Sequence, residues 1–175
     1  MLGFSADERV SEDDREGVSH MPLTFDMTAE EWRAVKRADL VFEGVGHLGM
    51  SYEVRAFFNN RDAGPDTPRT AKEGYAGRFV VFGHGDCFGQ EGHCVAESVV
   101  TRSRVESAVT QLAHPARPHR RILTVTEAFR RVMKRYRKGI HTVTLVTTLK
   151  APRRADCVPR SGIFRASRVS IQVYT

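Results

Sequence analysis

A chain of 175 residues, 41% hydrophobic and 9% aromatic, is long enough for one domain with a buried core and some length left for tails. Its net charge of +6 is basic, no apolar stretch reaches the length of a membrane span, and an acidic start lacks the basic flank and apolar core of a signal peptide. The expected location is therefore cytoplasmic, and the odd number of cysteines, 3, argues against a closed disulfide framework.

Residues 1–20 read as a disordered acidic tail: Asp7, Glu8, Glu12, Asp13, Asp14 and Glu16 come with few apolar neighbours. Residues 21–175 read as a single domain. Leu23, Phe25 and Met27 alternate, which suits a strand from Pro22 to Met27. Thr28 and Glu31 form a capping-box pattern that starts a short helix through Trp32 to about Arg37. Leu40 to Val45 suits another strand. In the next one, Tyr52, Val54, Ala56 and Phe58 face one way, and Glu53, Arg55 and Phe57 the other. Asn59 to Glu73 is a loop by its Gly and Pro content.

The run Phe79-Val80-Val81-Phe82 has the character of a buried, central strand. After it, Val99 to Val105 fits strand alternation, and His114 to His119 is an extended, proline-marked connector. Arg121 to Val125 suits a strand, and Thr124 with Glu127 a second capping box. Val125, Ala128, Phe129, Val132, Met133 and Tyr136 then share one helical face, with Arg130, Arg131, Lys134, Arg135 and Arg137 opposite. His141 to Leu149 and Arg168 to Tyr174 complete the strands. About seven strands and one or two short helices predict a mainly β protein, an antiparallel β-sandwich.

Between Gly83 and Cys94 the sequence concentrates His84, Cys87, His93 and Cys94 among four glycines. Imidazole and thiolate together suit copper(I) or zinc, so these four residues are the candidate metal ligands. The spacing matches no standard zinc finger. A Cys87–Cys94 disulfide, or histidines that only hydrogen-bond and organise the loop, are the alternatives. His114 and His119 read as exposed loop histidines, His47 and His141 as structural, and Cys157 as a bystander.

Several segments resemble, in order, the small C-terminal β-domain of plant polyphenol oxidases, named for a Lys-Phe-Asp-Val motif. Tyr52-Glu-Val-Arg-Ala-Phe-Phe-Asn-Asn60 resembles the strand leading into its Asn-Asp-Pro loop. Tyr75-Ala-Gly-Arg-Phe79 resembles its Phe-Ala-Gly-Ser-Phe segment. Leu123-Thr-Val-Thr-Glu-Ala-Phe129 resembles its capped helix, Val143-Thr-Leu-Val146 its Val-Thr-Leu-Val strand, and Val169-Ser-Ile-Gln-Val173 its closing strand. The similarity spans roughly Ser51 to Thr175. The naming motif itself is replaced by Ser51-Tyr-Glu-Val54.

The resemblance implies a β-sandwich that packs over a di-copper oxidase domain, shields its active site and keeps it latent. The di-copper domain, with its histidines spaced His-x-x-x-His, is absent: none of the 7 histidines here has that spacing. The expectation is a non-catalytic accessory protein that shields, or assists copper loading of, a tyrosinase-like partner. Tyr75 and Phe88 are the residues expected to face that partner. A stand-alone copper- or zinc-binding module is the alternative. A nucleic-acid binder using Arg130 to Lys138 ranks last, because no reading motif accompanies the basic run.

Overall fold

The computed structural model describes residues 2–4, 11–12, 17–22, 27–46, 51–83, 94–96, 114–116, 118–135, 139–149 and 164–175. In chain order these form β1 (Leu2–Phe4), β2 (Ser11–Glu12), β3 (Val18–Pro22), α1 (Ala29–Ala34), β4 (Arg37–Val45), β5 (Tyr52–Phe58), β6 (Tyr75–Val81), β7 (Cys94–Ala96), β8 (His114–Ala116), β9 (His119–Thr124), α2 (Thr126–Arg135), β10 (Thr142–Leu149) and β11 (Arg168–Tyr174). One antiparallel sheet runs β1-β11-β4-β9 and the other β2-β3-β10-β5-β6. β7 and β8 make a separate parallel pair. The protein is mainly β, a sandwich of two antiparallel sheets with two short helices.

Alternation decides which side chains enter the core. Ala38, Leu40 and Phe42 of β4 stand opposite Val173, Ile171 and Val169 of β11. Across the sandwich lie Tyr52, Val54, Ala56 and Phe58 of β5, with Val143 and Leu145 of β10, all buried in the same cluster. Phe42 meets Phe79 at 4.8 Å between ring centroids, and Phe164 is edge-on to Phe42 at 6.0 Å, which suits the aromatic quadrupole. α2 closes the side where β6 and β9 approach, packing against β4 and β6 and burying Ala128, Phe129 and Val132.

The first helix has its capping box: the Glu31 amide donates to the Thr28 hydroxyl and the Thr28 amide to the Glu31 carboxylate. The second helix starts differently from the expectation. It begins at Thr126, so Val125 rather than Thr124 precedes it, and the Val125 carbonyl accepts from the Phe129 amide. The Thr126 hydroxyl instead accepts from the Ala38 amide of β4, tying helix to sheet.

Three further differences concern the strands. The fold takes up the chain earlier than residue 21: β3 covers Val18–Pro22, β2 pairs with it, and β1 pairs with β11, while most of the strand expected at Pro22–Met27 lies outside the described residues. His20 is buried and within 3.1 Å of the Thr144 hydroxyl, a pairing that acidic composition around it does not reveal. Among the described residues β6 is an edge strand rather than a central one. Phe82, read as part of a buried run, is 78% exposed. The expected strand at Val99–Val105 lies outside the described residues. Among the described residues no helix is long and apolar enough to cross a membrane.

The other face of β5 is covered as well. The loop of residues 59–74 folds back over it, so that Phe57, Ala63 and Val146 form a second small core with Tyr75 against it. Asn59 starts this loop in a left-handed conformation, φ 54°, which asparagine tolerates better than most residues.

Candidate functional site

Of the residues expected to carry function, His84, Cys87, Phe88 and His93 lie outside the described residues. Cys94 opens β7, where its register partner in β8 is His114. Tyr75 opens β6, with its ring 5.6 Å from that of Phe57. Among the described residues no group of three or more His, Cys, Asp or Glu side chains is placed to hold a metal ion. Gly83, the last described residue before the candidate ligands, donates its amide to the Ser51 hydroxyl at 3.1 Å.

Tyr75 belongs to a groove of about 510 Å³ between the end of β5, the chain from Ala71 to Tyr75, and α2. That size is in the range of small-ligand and side-chain binding clefts. Its floor is apolar: Phe58, Ala128 and Val132 are buried core residues that reach it. Its rim is charged, with Lys72, Arg131 and Arg135 exposed and Glu73 partly so. The excess of cations favours an anionic or acidic occupant.

The groove walls are held by hydrogen bonds between distant segments. The Arg131 guanidinium donates to the Tyr75 carbonyl at 3.3 Å, joining α2 to the start of β6. The Asn60 amide group donates to the Glu73 carbonyl at 2.9 Å. Asn59 donates to the Gly139 carbonyl at 2.8 Å and accepts from the His141 amide at 2.9 Å and the Thr142 amide at 3.3 Å. One left-handed asparagine thus clamps the end of β5 to the start of β10. Because the clamp satisfies backbone groups near the core, its loss leaves them unpaired.

The sequence reading found Tyr75 and the helix face, but not the groove they share. Its walls come from segments more than fifty residues apart, as the 56-residue separation of Arg131 from Tyr75 illustrates, and no local pattern records such a meeting. It also missed Glu53, a fully buried carboxylate. Glu53 and Arg55 stand two apart on one strand face, which was a usable signal for a pair; the approach of Arg69 from the loop had none.

No known protein family, curated protein or solved structure matches this chain.

Proposed function

We propose that the chain is a non-catalytic accessory protein that docks on a di-copper oxidase of the tyrosinase or polyphenol oxidase type, covers its mouth and assists copper loading through the Gly83–Cys94 loop. The observation that carries this reading is the course of β6. The strand begins at Tyr75 in the groove, runs along the edge of its sheet, and ends beside Phe82, which is 78% exposed. The next residues are Gly83 and His84 of the ligand-bearing loop. An edge strand with an exposed aromatic at its end is a surface that another protein can cover.

The resembling segments support the same reading. They fall on β5, β6, α2, β10 and β11 or at their ends, and β5 hydrogen-bonds to both β6 and β10. The matches on β5, β6 and β10 are therefore neighbours in one sheet. In such a complex His84, Cys87, His93 and Cys94 would hold the metal. The soft sulfur and imidazole donors would favour copper(I) in transit over a hard cation. Phenol oxidation by a tyrosinase catalytic domain freed of any covering segment tests the reading. Adding this chain should lower turnover, and Phe82→Asp should relieve the effect. Unaltered turnover with the unmutated chain would remove the proposal.

One observation favours the stand-alone metal module as a second reading: Cys94 and His114 are register neighbours on adjacent strands. Elemental analysis of protein purified without chelator, beside a Cys87→Ser, Cys94→Ser double variant, tests it. Copper or zinc held by the first and lost by the second is the expected result; metal held equally by both excludes the cysteines as ligands.

A further inference from the structure

We infer that the outer face of β5 carries an oxyanion site, built from Arg55, Arg69 and Arg78 and suited to a phosphate group. All three guanidinium groups converge on Glu53, which has no exposed surface. Arg55 donates through Nε to Glu53 Oε1 at 2.8 Å, and Arg69 donates through Nη2 to the same oxygen at 2.8 Å. Arg78 donates through Nη1 to Oε2. Burying a carboxylate is costly unless it is paired, and one bidentate arginine would meet that need. Among the described residues, three arginines leave an excess of two positive charges over the Glu53 carboxylate.

The excess faces solvent. The Arg55 side chain is 13% exposed, and its Nη1 donates to the Pro65 carbonyl. The Arg69 and Arg78 side chains are 38% and 48% exposed. A guanidinium has five N–H donors in a planar fork, so one bond to Glu53 leaves most of the Arg69 and Arg78 forks able to bond outward, while Arg55 adds its charge from beneath. Arg55 and Arg78 are register partners on neighbouring strands, and Arg69 arrives from the covering loop. Glu53 thus holds the three guanidinium groups close to one another. A group with two negative charges and several oxygens matches both the charge excess and the donor geometry. Phosphate and phosphate monoesters carry a charge of about −1.5 to −2 near neutral pH. Arg78 belongs to β6, but the site uses neither the groove nor Phe82, so its failure would leave the docking proposal standing.

The test is titration with inorganic phosphate, O-phosphoserine and sodium chloride at equal ionic strength, followed by arginine Nε–Hε resonances and by thermal unfolding. Phosphate should shift the Arg69 and Arg78 resonances but not that of Arg33, an exposed arginine of α1 away from both the cluster and the groove, and should raise the unfolding midpoint more than chloride does. Equal affinity for the two phosphate probes assigns the site to the free anion; tighter binding of O-phosphoserine assigns it to an ester. Arg69→Gln and Arg78→Gln should each weaken binding by about tenfold, the loss of a charge-assisted hydrogen bond. Arg33→Gln should leave it unchanged. Chloride acting as well as phosphate, or resonances of Arg69 and Arg78 that do not respond in the unmutated protein, would overturn the inference whatever the variants do.

Discussion

At the scale of single residues, Asn59 and Tyr52 matter more than their neighbours, for different reasons. Asn59 combines a left-handed backbone with three side-chain hydrogen bonds to residues 139–142. Asn59→Ala should destabilise the protein by about 2–3 kcal/mol, from lost bonds plus backbone strain. Asn59→Gly removes the strain but not the loss, so most of the effect should persist in it; denaturant unfolding of both variants separates the two causes. Tyr52 is 1% exposed and its hydroxyl donates to the Gly46 carbonyl. Burial pushes its pKa from 10.0 up to about 12, with Arg121 acting weakly in the other direction. The folded state therefore holds this proton more tightly than the unfolded chain. The associated stability is intact below pH 10 and declines as pH rises towards 12, by about 2–3 kcal/mol in total at about 1.4 kcal/mol per pKa unit. Tyr52→Phe should remove that alkaline loss, as measured by unfolding across the range; an unchanged decline in Tyr52→Phe would assign it to other groups.

At the scale of elements, the closure between the two sheets depends on α2 and on the bulge in β6. Phe129 has no exposed surface, and Phe129→Ala should cost about 3–5 kcal/mol through lost burial and the cavity left behind. Gly77 has φ 149°, and a Cβ there would sit 3.0 Å from Leu123 of β9. Gly77→Val should therefore cost about 2–3 kcal/mol, while also loosening the contact of β6 with β9. Glu53→Gln keeps the shape but removes the charge that holds Arg69. Trypsin should then cut at Arg69 or Lys72 faster than it cuts the rest of the chain, without prior global unfolding.

These elements differ in how much the sequence disclosed. β5 and β11 were readable from alternation, β10 from its run of Val and Thr, and α2 because its apolar face repeats every three or four residues. β3 was hidden by the acidic residues before it, since Ser19 and His20 read as polar and exposed although both are buried. The edge position of β6 was unreadable, because four apolar residues in a row look alike in a central strand and at the end of an edge strand. The groove was unreadable for a further reason: it exists only where α2 meets the loop over β5, and periodicity reports on one segment at a time.

At the scale of the whole molecule, two faces carry distinct chemistry on a common sandwich. One is the side of β6, with the groove, its cationic rim and Phe82, just before His84, Cys87, Phe88 and His93 in the sequence. The other is the arginine-lined outer face of β5. The central claim is that the side of β6 is a docking surface for a copper oxidase. Amide hydrogen exchange of this chain, alone and mixed with a tyrosinase-type di-copper domain, addresses that claim most directly. Slower exchange confined to β6, residues 71–75 and the exposed turn of α2 is the predicted result. No change anywhere, or protection centred on β4 and β11, would contradict it.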